Sequence, residues 1–273
     1  METHVKNQHY VPQLLLRHFS SSDENLIWCY DKTWKKSKER SITNVASENC
    51  FYDIIPGQRE NSFEYLMGRA ESDIAPIILK IIKERSLNIL TTDDKVLLAL
   101  FIALQLNRTK SALREVERIN KELLDFVKAG IQSAKVNFEE HSSREVWLST
   151  FYSTPTFANH IMNKLWFLLE SEKKFYTSDN PVVMQNILNR KPNRGTLGLN
   201  SDGIEIYFPL SPSLLLCLLC ERSYDILKDN ELPCSAENIE NINSLQVVYS
   251  DRFIFSSQNN FELVNEMVSK NEI

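Results

Sequence analysis

Ser62–Ile82 reads SFEYLMGRAESDIAPIILKII, and Lys95–Lys128 reads KVLLALFIALQLNRTKSALREVERINKELLDFVK. In the first stretch Phe63, Leu66, Met67, Ala70, Ile74, Ile77, Ile78, Ile81 and Ile82 recur at three- and four-residue intervals, which lays apolar side chains along one helix face. The spacing predicts one long helix, with Pro76 as the place for a kink. Asp93 and Asp94 then read as first-turn carboxylates of a second helix that continues from Lys95 to about Lys128. Its first half is almost wholly apolar and belongs in the core. Its second half, Lys110–Lys128, is charged and amphipathic and suits solvent or a partner protein. A further helix is expected over Thr156–Leu169.

On either side of this helical middle the pattern turns to strands. Gln8–Val11 reads as extended and Gln13–Phe19 as a short amphipathic turn after Pro12. Leu26–Tyr30 and the segment from Trp34 form a hairpin across Asp31–Thr33, and a third extended piece covers Asn49–Ile55. Beyond the helices, Phe175–Thr177, Val182–Met184, Ile204–Phe208, Leu214–Leu219 and Arg252–Phe255 read as strands, with a helix near Glu237–Val247 and a flexible loop over Gln185–Gly203. Strands, then helices, then strands is not the alternation of a doubly wound parallel sheet. The expected class is α+β: one domain over residues 1–273, with a β-rich front (8–56), a helical middle (62–170) and a β-rich rear (175–256). The two β-rich parts are expected to form one mixed or antiparallel sheet around a central helical core.

Composition narrows the function classes. Thirty-one Lys and Arg against 36 Asp and Glu give a net charge of −5, which lacks the global signature of a sequence-independent nucleic-acid binder and gives no strong DNA-binding signal. The densest basic run, Lys32–Arg40, reads as a hairpin edge guarded by lysines. Five cysteines without regular spacing point to thiols in a reducing, cytoplasmic setting, and Cys217 and Cys220 read as small buried hydrophobes inside LLLCLLC. No apolar stretch is long enough to span a membrane, and no export signal is indicated. GxxxxGK[ST], GxGxxG, HExxH, GxSxG and paired CxxC motifs do not occur, and no metal-ligand set is expected.

Four constellations place polar groups where packing alone would not ask for them. Gln8-His9-Tyr10-Val11-Pro12-Gln13, with Arg17 a turn later, either grips an anion and moves a proton or ties the N-terminal segment down by backbone hydrogen bonds. Gln105, Arg108 and Thr109 share one helix face, where a buried arginine is emerging, structurally paired or aimed into a polar cavity. Thr177-Ser178-Asp179-Asn180-Pro181 makes an Asx-type turn, or puts Ser178 or Asp179 in a cleft. Pro209-Leu210-Ser211-Pro212, with Glu205 just before it, reads as a rigid turn between two strands.

Taken together, HYVPQ (His9–Gln13), LLRHF (Leu15–Phe19), NVASENCFYD (Asn44–Asp53), ALFIALQLNRT (Ala99–Thr109), FYTSDNPVV (Phe175–Val183) and PLSP (Pro209–Pro212) resemble the bacterial HYVPQ-motif family of unknown function, number 4238 in that series, from about Gln8 to Phe255. The resemblance implies one site with His9, Asp179 and Arg108 as catalytic groups and Tyr10, Gln13, Arg17, Gln105, Ser178 and Asn180 as substrate contacts. The expected function is a toxin-type or defence-type enzyme acting on RNA or a nucleotide. Two reactions are open. In ADP-ribosyl transfer NAD is the substrate, His9 holds a ribose, Tyr10 stacks on nicotinamide and Glu205 or Asp179 stabilises the cationic transition state. In phosphodiester cleavage His9 is the general base and Arg108 holds the phosphate. The alternative is a non-catalytic module that docks a partner protein through Lys110–Lys128.

Overall fold

The computed structural model describes residues 6–21, 25–53, 63–134, 141–189, 197–224 and 236–270. In chain order its elements are β1 (Asn7–His9), α1 (Gln13–Arg17), β2 (Leu26–Asp31), β3 (Lys36–Ser41), β4 (Ser47–Asn49), α2 (Glu64–Glu84), α3 (Thr92–Asn107) and α4 (Lys110–Ala134). There follow α5 (Ser143–Ser149), α6 (Thr154–Met162), β5 (Lys164–Glu170), β6 (Thr177–Ser178), β7 (Val183–Asn186), β8 (Ile204–Ser211), β9 (Leu214–Cys220), α7 (Glu221–Tyr224), α8 (Ala236–Tyr249), β10 (Phe253–Ser256) and α9 (Glu262–Ser269). The class is α+β.

The described strands form three antiparallel sheets rather than the single one expected. Front and rear do meet: the hairpin strand β2 pairs with β10 from Trp28↔Ser256 to Asp31↔Phe253, giving the order β3-β2-β10-β6. The remaining rear strands make a separate sheet, β5-β9-β8-β7, and β1 pairs with β4 alone. The separation has a physical cause. Every residue of β8 and β9 is buried, so their sheet needs a layer on each face. Ile204, Ile206, Phe208, Leu216 and Leu218 pack into the helical core, whereas Tyr207, Leu215, Cys217 and Leu219 face Ile239 and Ile242 of α8.

Two helix boundaries differ from the sequence reading. The segment from Lys95 to Lys128 is not one helix: α3 and α4 meet at 56° across Arg108 and Thr109. Thr109 carries a hydroxyl that competes with the helix ladder, and its Oγ1 accepts the Ala112 N–H at 3.2 Å to start α4. The segment Thr156–Leu169 also divides. Its helix stops at Met162, and Lys164–Glu170 pairs along its whole length with β9, because an apolar run as short as Leu165–Leu169 fits either period and the exposed edge of β9 decides.

Three smaller corrections concern turns. The extended piece over Asn49–Ile55 ends as a strand at Asn49, since Cys50 takes a left-handed φ of 56° and Cys50–Asp53 turn; residues 54 and 55 lie outside the described set. The hairpin turn falls at Lys32–Lys35, with Lys35 at φ 50°, and β3 is the lysine-bearing edge of its sheet. Pro209-Leu210-Ser211 is part of β8, with a bulge between Pro209 and Ser211, so the turn lies at Pro212 and Ser213. Helices α5, α7 and α9 were not anticipated. Of the loop expected over Gln185–Gly203, residues 190–196 lie outside the described set. Among the described residues no single helix is long and apolar enough to cross a membrane.

Candidate functional site

The Cys50–Asp53 turn is fastened from both sides. Gln8, fully buried in β1, accepts the Tyr52 N–H at 2.6 Å and donates to Asp53 Oδ1 at 2.9 Å. Arg144 of α5 donates to the Cys50 and Phe51 carbonyls at 3.1 and 2.7 Å. Trp147, one turn further along α5, stacks on Tyr52 at 6.0 Å and donates through Nε1 to the Asn107 carbonyl at 2.8 Å, which fixes the end of α3 against the same turn. This packing delivers the Tyr52 hydroxyl to Arg108.

Arg108 is 1 % exposed, so its charge must be answered inside the protein. Its Nε donates to the Tyr52 hydroxyl at 3.0 Å, and its Nη2 donates to the His9 carbonyl at 2.7 Å and to Glu71 Oε1 at 2.8 Å. Tyr52 in turn donates to the His9 carbonyl at 3.0 Å. Of the readings open for Arg108, structural pairing fits this geometry. Its role is to hold the backbone of His9 and the carboxylate of Glu71 in fixed places. Its Nη1 is buried and has no hydrogen-bond partner among the described residues.

His9 and Glu71 open onto a cleft of about 520 Å³ between β1, α1 and α2, with Gln13, Arg17, Glu64 and Gly68 also in its wall. His9 and Glu64 are both shifted towards neutrality. Burial pushes the His9 imidazole below its usual value, against the Ile42 carbonyl, which accepts from the ring, and against Glu71. Its Nε2 is buried behind the cleft wall and has no hydrogen-bond partner among the described residues, so a substrate must displace the covering side chains to reach it. Burial pushes the Glu64 carboxyl up to about 7, against the pull of Arg108. At the rim the exposed Arg17 donates to Gln13 Oε1 at 3.0 Å and to Asn25 Oδ1 at 3.3 Å. The cleft thus offers a neutral base, a carboxylic acid that retains its proton near neutrality and an accessible guanidinium.

The other expected residues lie elsewhere. Tyr10 is 2 % exposed, its ring packed on Phe51 at 5.2 Å and covered by Lys110, so it presents no stacking face. Gln105 donates to the Tyr10 carbonyl at 3.0 Å. Ser178 donates to Gln246 Oε1 at 2.7 Å, and Asn180 donates to the Tyr249 carbonyl at 3.1 Å, so both fasten the 177–181 turn to α8. Asp179 is fully buried and accepts the backbone N–H groups of Asp251, Arg252 and Phe253 at 2.8, 2.7 and 2.8 Å. Its own N–H donates back to the Phe253 carbonyl at 3.0 Å. The sequence therefore points to nine residues, of which His9, Gln13 and Arg17 share the cleft, Tyr10, Gln105 and Arg108 are buried outside its wall, and Ser178, Asp179 and Asn180 hold the 177–181 turn in another part of the fold. Glu64 and Glu71 are additions. Seven residues apart on α2, beside the apolar positions Met67 and Ile74, they are carboxylates on a helix face that packing would fill with hydrocarbon, and that was the available signal.

A family model described as "Protein of unknown function (DUF4238)" matches residues 7–260. The chain belongs to this family. No curated protein and no solved structure matches the chain. The family match takes in β1 and the cleft as well as the 177–181 turn.

Proposed function

We propose that the protein is an RNA-directed enzyme of the toxin or defence type that cleaves phosphodiester bonds in the His9 cleft. The observation that carries this reading is the opposite displacement of two titratable groups in one cleft, His9 downward and Glu64 upward, beside the accessible Arg17. His9 Nε2 takes the proton of a ribose 2′-hydroxyl, whose oxygen attacks phosphorus. The bond from phosphorus to the 5′ oxygen breaks, and the Glu64 carboxyl passes its proton to that leaving oxygen. The products are a 2′,3′-cyclic phosphate and a 5′-hydroxyl. Arg17, rather than Arg108, faces the phosphate oxygens. ADP-ribosyl transfer finds less support, because Tyr10 is enclosed and Glu205 lines a different cavity from His9.

The test is incubation of the purified protein with labelled single-stranded RNA, followed by end-group analysis. Wild type is expected to leave cyclic phosphate ends, and His9→Asn and Glu64→Gln, checked for wild-type folding, are expected to lose about 100-fold or more in rate. Intact RNA with wild type, or full activity in both variants, overturns the reading.

A second reading rests on α4, where Ile119, Leu123 and Phe126 are 44, 57 and 79 % exposed along one stripe, as on a helix that docks a partner protein. Charge reversal along Lys110–Lys128, or alanine at the three apolar positions, would then abolish the cellular phenotype, whereas His9→Asn would leave it intact.

A further inference from the structure

The face of the β5-β9-β8-β7 sheet that packs on α8 encloses a second cavity, of about 510 Å³, unconnected with the His9 cleft in its lining. Glu205 of β8 sits in its wall and is 6 % exposed. Its Oε2 accepts from Gln185 Nε2 at 2.5 Å and from the Tyr207 hydroxyl at 2.9 Å, and its Oε1 accepts from the Tyr224 hydroxyl. All three donors are uncharged. Burial and the neighbouring carboxylate push both phenols upward, so they stay protonated and neutralise nothing. Other buried carboxylates here are answered differently: Asp31 by the guanidinium of Arg252, Asp179 by three backbone amides. Among the described residues no lysine, arginine or histidine pairs with Glu205. A buried carboxylate held in place by neutral donors, on the wall of an open cavity, has no counter-charge among the described residues.

The rest of the lining says what form that counter-charge takes. Tyr207, Tyr224 and Tyr249 supply aromatic rings, and Leu219, Ile242 and Leu245 supply aliphatic surface. Aromatic rings about a carboxylate favour a desolvated organic cation, and the leucines and isoleucine suit an alkyl stem attached to it. The described residues hold no group of three or more metal-ligating side chains, so the donor set does not suit a metal ion. The volume is in the range of small-molecule sites. We infer that this cavity binds a small organic cation, an alkylammonium or alkylguanidinium, whose charged head pairs with Glu205 between the tyrosines. The inference is independent of the reaction proposed for the His9 cleft.

The test is titration calorimetry and thermal shift on the full chain with putrescine and agmatine, and with 1,4-butanediol as the neutral counterpart of putrescine. Wild type is expected to bind the cations at millimolar concentration or below and to ignore the diol. Glu205→Gln keeps the shape and one accepting oxygen, and its NH2 can donate to a tyrosine hydroxyl turned to accept, so it is expected to fold and to bind the cations about tenfold or more weakly. His9→Asn is expected to bind them as wild type does. Absence of cation binding by wild type overturns the inference whether or not Glu205→Gln folds. Equal binding of the diol, or undiminished cation binding by a folded Glu205→Gln, overturns it also.

Discussion

Replacing Asp179 by alanine separates a brace from a catalyst. The carboxylate accepts three backbone N–H groups of residues 251–253, which lead into β10, the strand that joins the front hairpin to the rear of the chain. Alanine leaves three donors without an acceptor, at about 1–3 kcal/mol each. It also removes a buried charge. Burial raises this carboxyl from 3.8 to about 6 while its three amide partners hold it down, a displacement worth about 3 kcal/mol at pH 7. The net loss is therefore about 3 kcal/mol at pH 7, or roughly 6–12 °C in melting temperature for a chain of this size. The loss depends on pH in a definite direction. A carboxyl whose folded value lies above its unfolded value contributes stability that is fully present below about 3.8 and is lost as pH rises through about 6. Wild type gains from this group on acidification and the variant does not, so the difference between them widens by about 1 kcal/mol from pH 7 to pH 5. Urea unfolding followed by tryptophan fluorescence at both pH values measures it. A variant within about 0.5 kcal/mol of wild type at both, yet functionally dead, would refute the reasoning and return Asp179 to a catalytic role.

Two further outcomes follow from the Arg108 and cleft geometries. Arg108→Met removes the partner of Glu71 and the donor that holds the His9 carbonyl, and is expected to cost about 3–5 kcal/mol in urea unfolding, with Glu71→Gln costing less because the guanidinium keeps its other acceptors; equal stability of Arg108→Met and wild type would contradict the buried pairing. In the proposed cleavage His9 is deprotonated and Glu64 protonated, so kcat/KM is expected to rise with pH through a value below 6.5 and to fall again through about 7, and Glu64→Gln should remove only the alkaline limb from whatever activity remains.

The elements that the sequence states clearly are those whose own pattern decides them. The apolar face read over residues 62–82 has a helix period, and Leu214–Leu219, short and preceded by the Pro212–Ser213 turn, suits a buried strand. Leu165–Leu169 was not legible, because its fate depends on β9 lying alongside it, a contact fifty residues away in the chain. The break at Arg108 was hidden for a related reason: the apolar run before it and the amphipathic run after it share a helical period, and the 56° bend that Thr109 starts is held by contacts of Trp147 and Tyr52 with Asn107 and Arg108. In the site, His9, Gln13 and Arg17 were legible because polar groups at a strand-to-helix transition are close in sequence and so close in space. Glu64 and Glu71 were not, since α2 meets β1 only in the folded chain. The same locality misled at 177–181, where a run of side-chain hydrogen-bonding residues is a brace aimed at backbone amides rather than at a substrate.

Whether the His9 cleft is where a nucleotide sits can be measured without any turnover. Gly68 lies in the cleft wall with nothing within 4 Å of where a Cβ would project, so a side chain starts there in open space and Gly68→Phe is expected to crowd the cleft. Binding of a ribonucleoside 3′-phosphate is followed by calorimetry and by the imidazole resonances of His9 in wild type, Gly68→Phe and Asp179→Asn. Binding by wild type and by folded Asp179→Asn, with a shift of the His9 signals and loss of binding in Gly68→Phe, is the expected result; binding that survives Gly68→Phe and leaves the His9 signals unmoved would contradict the assignment of this cleft.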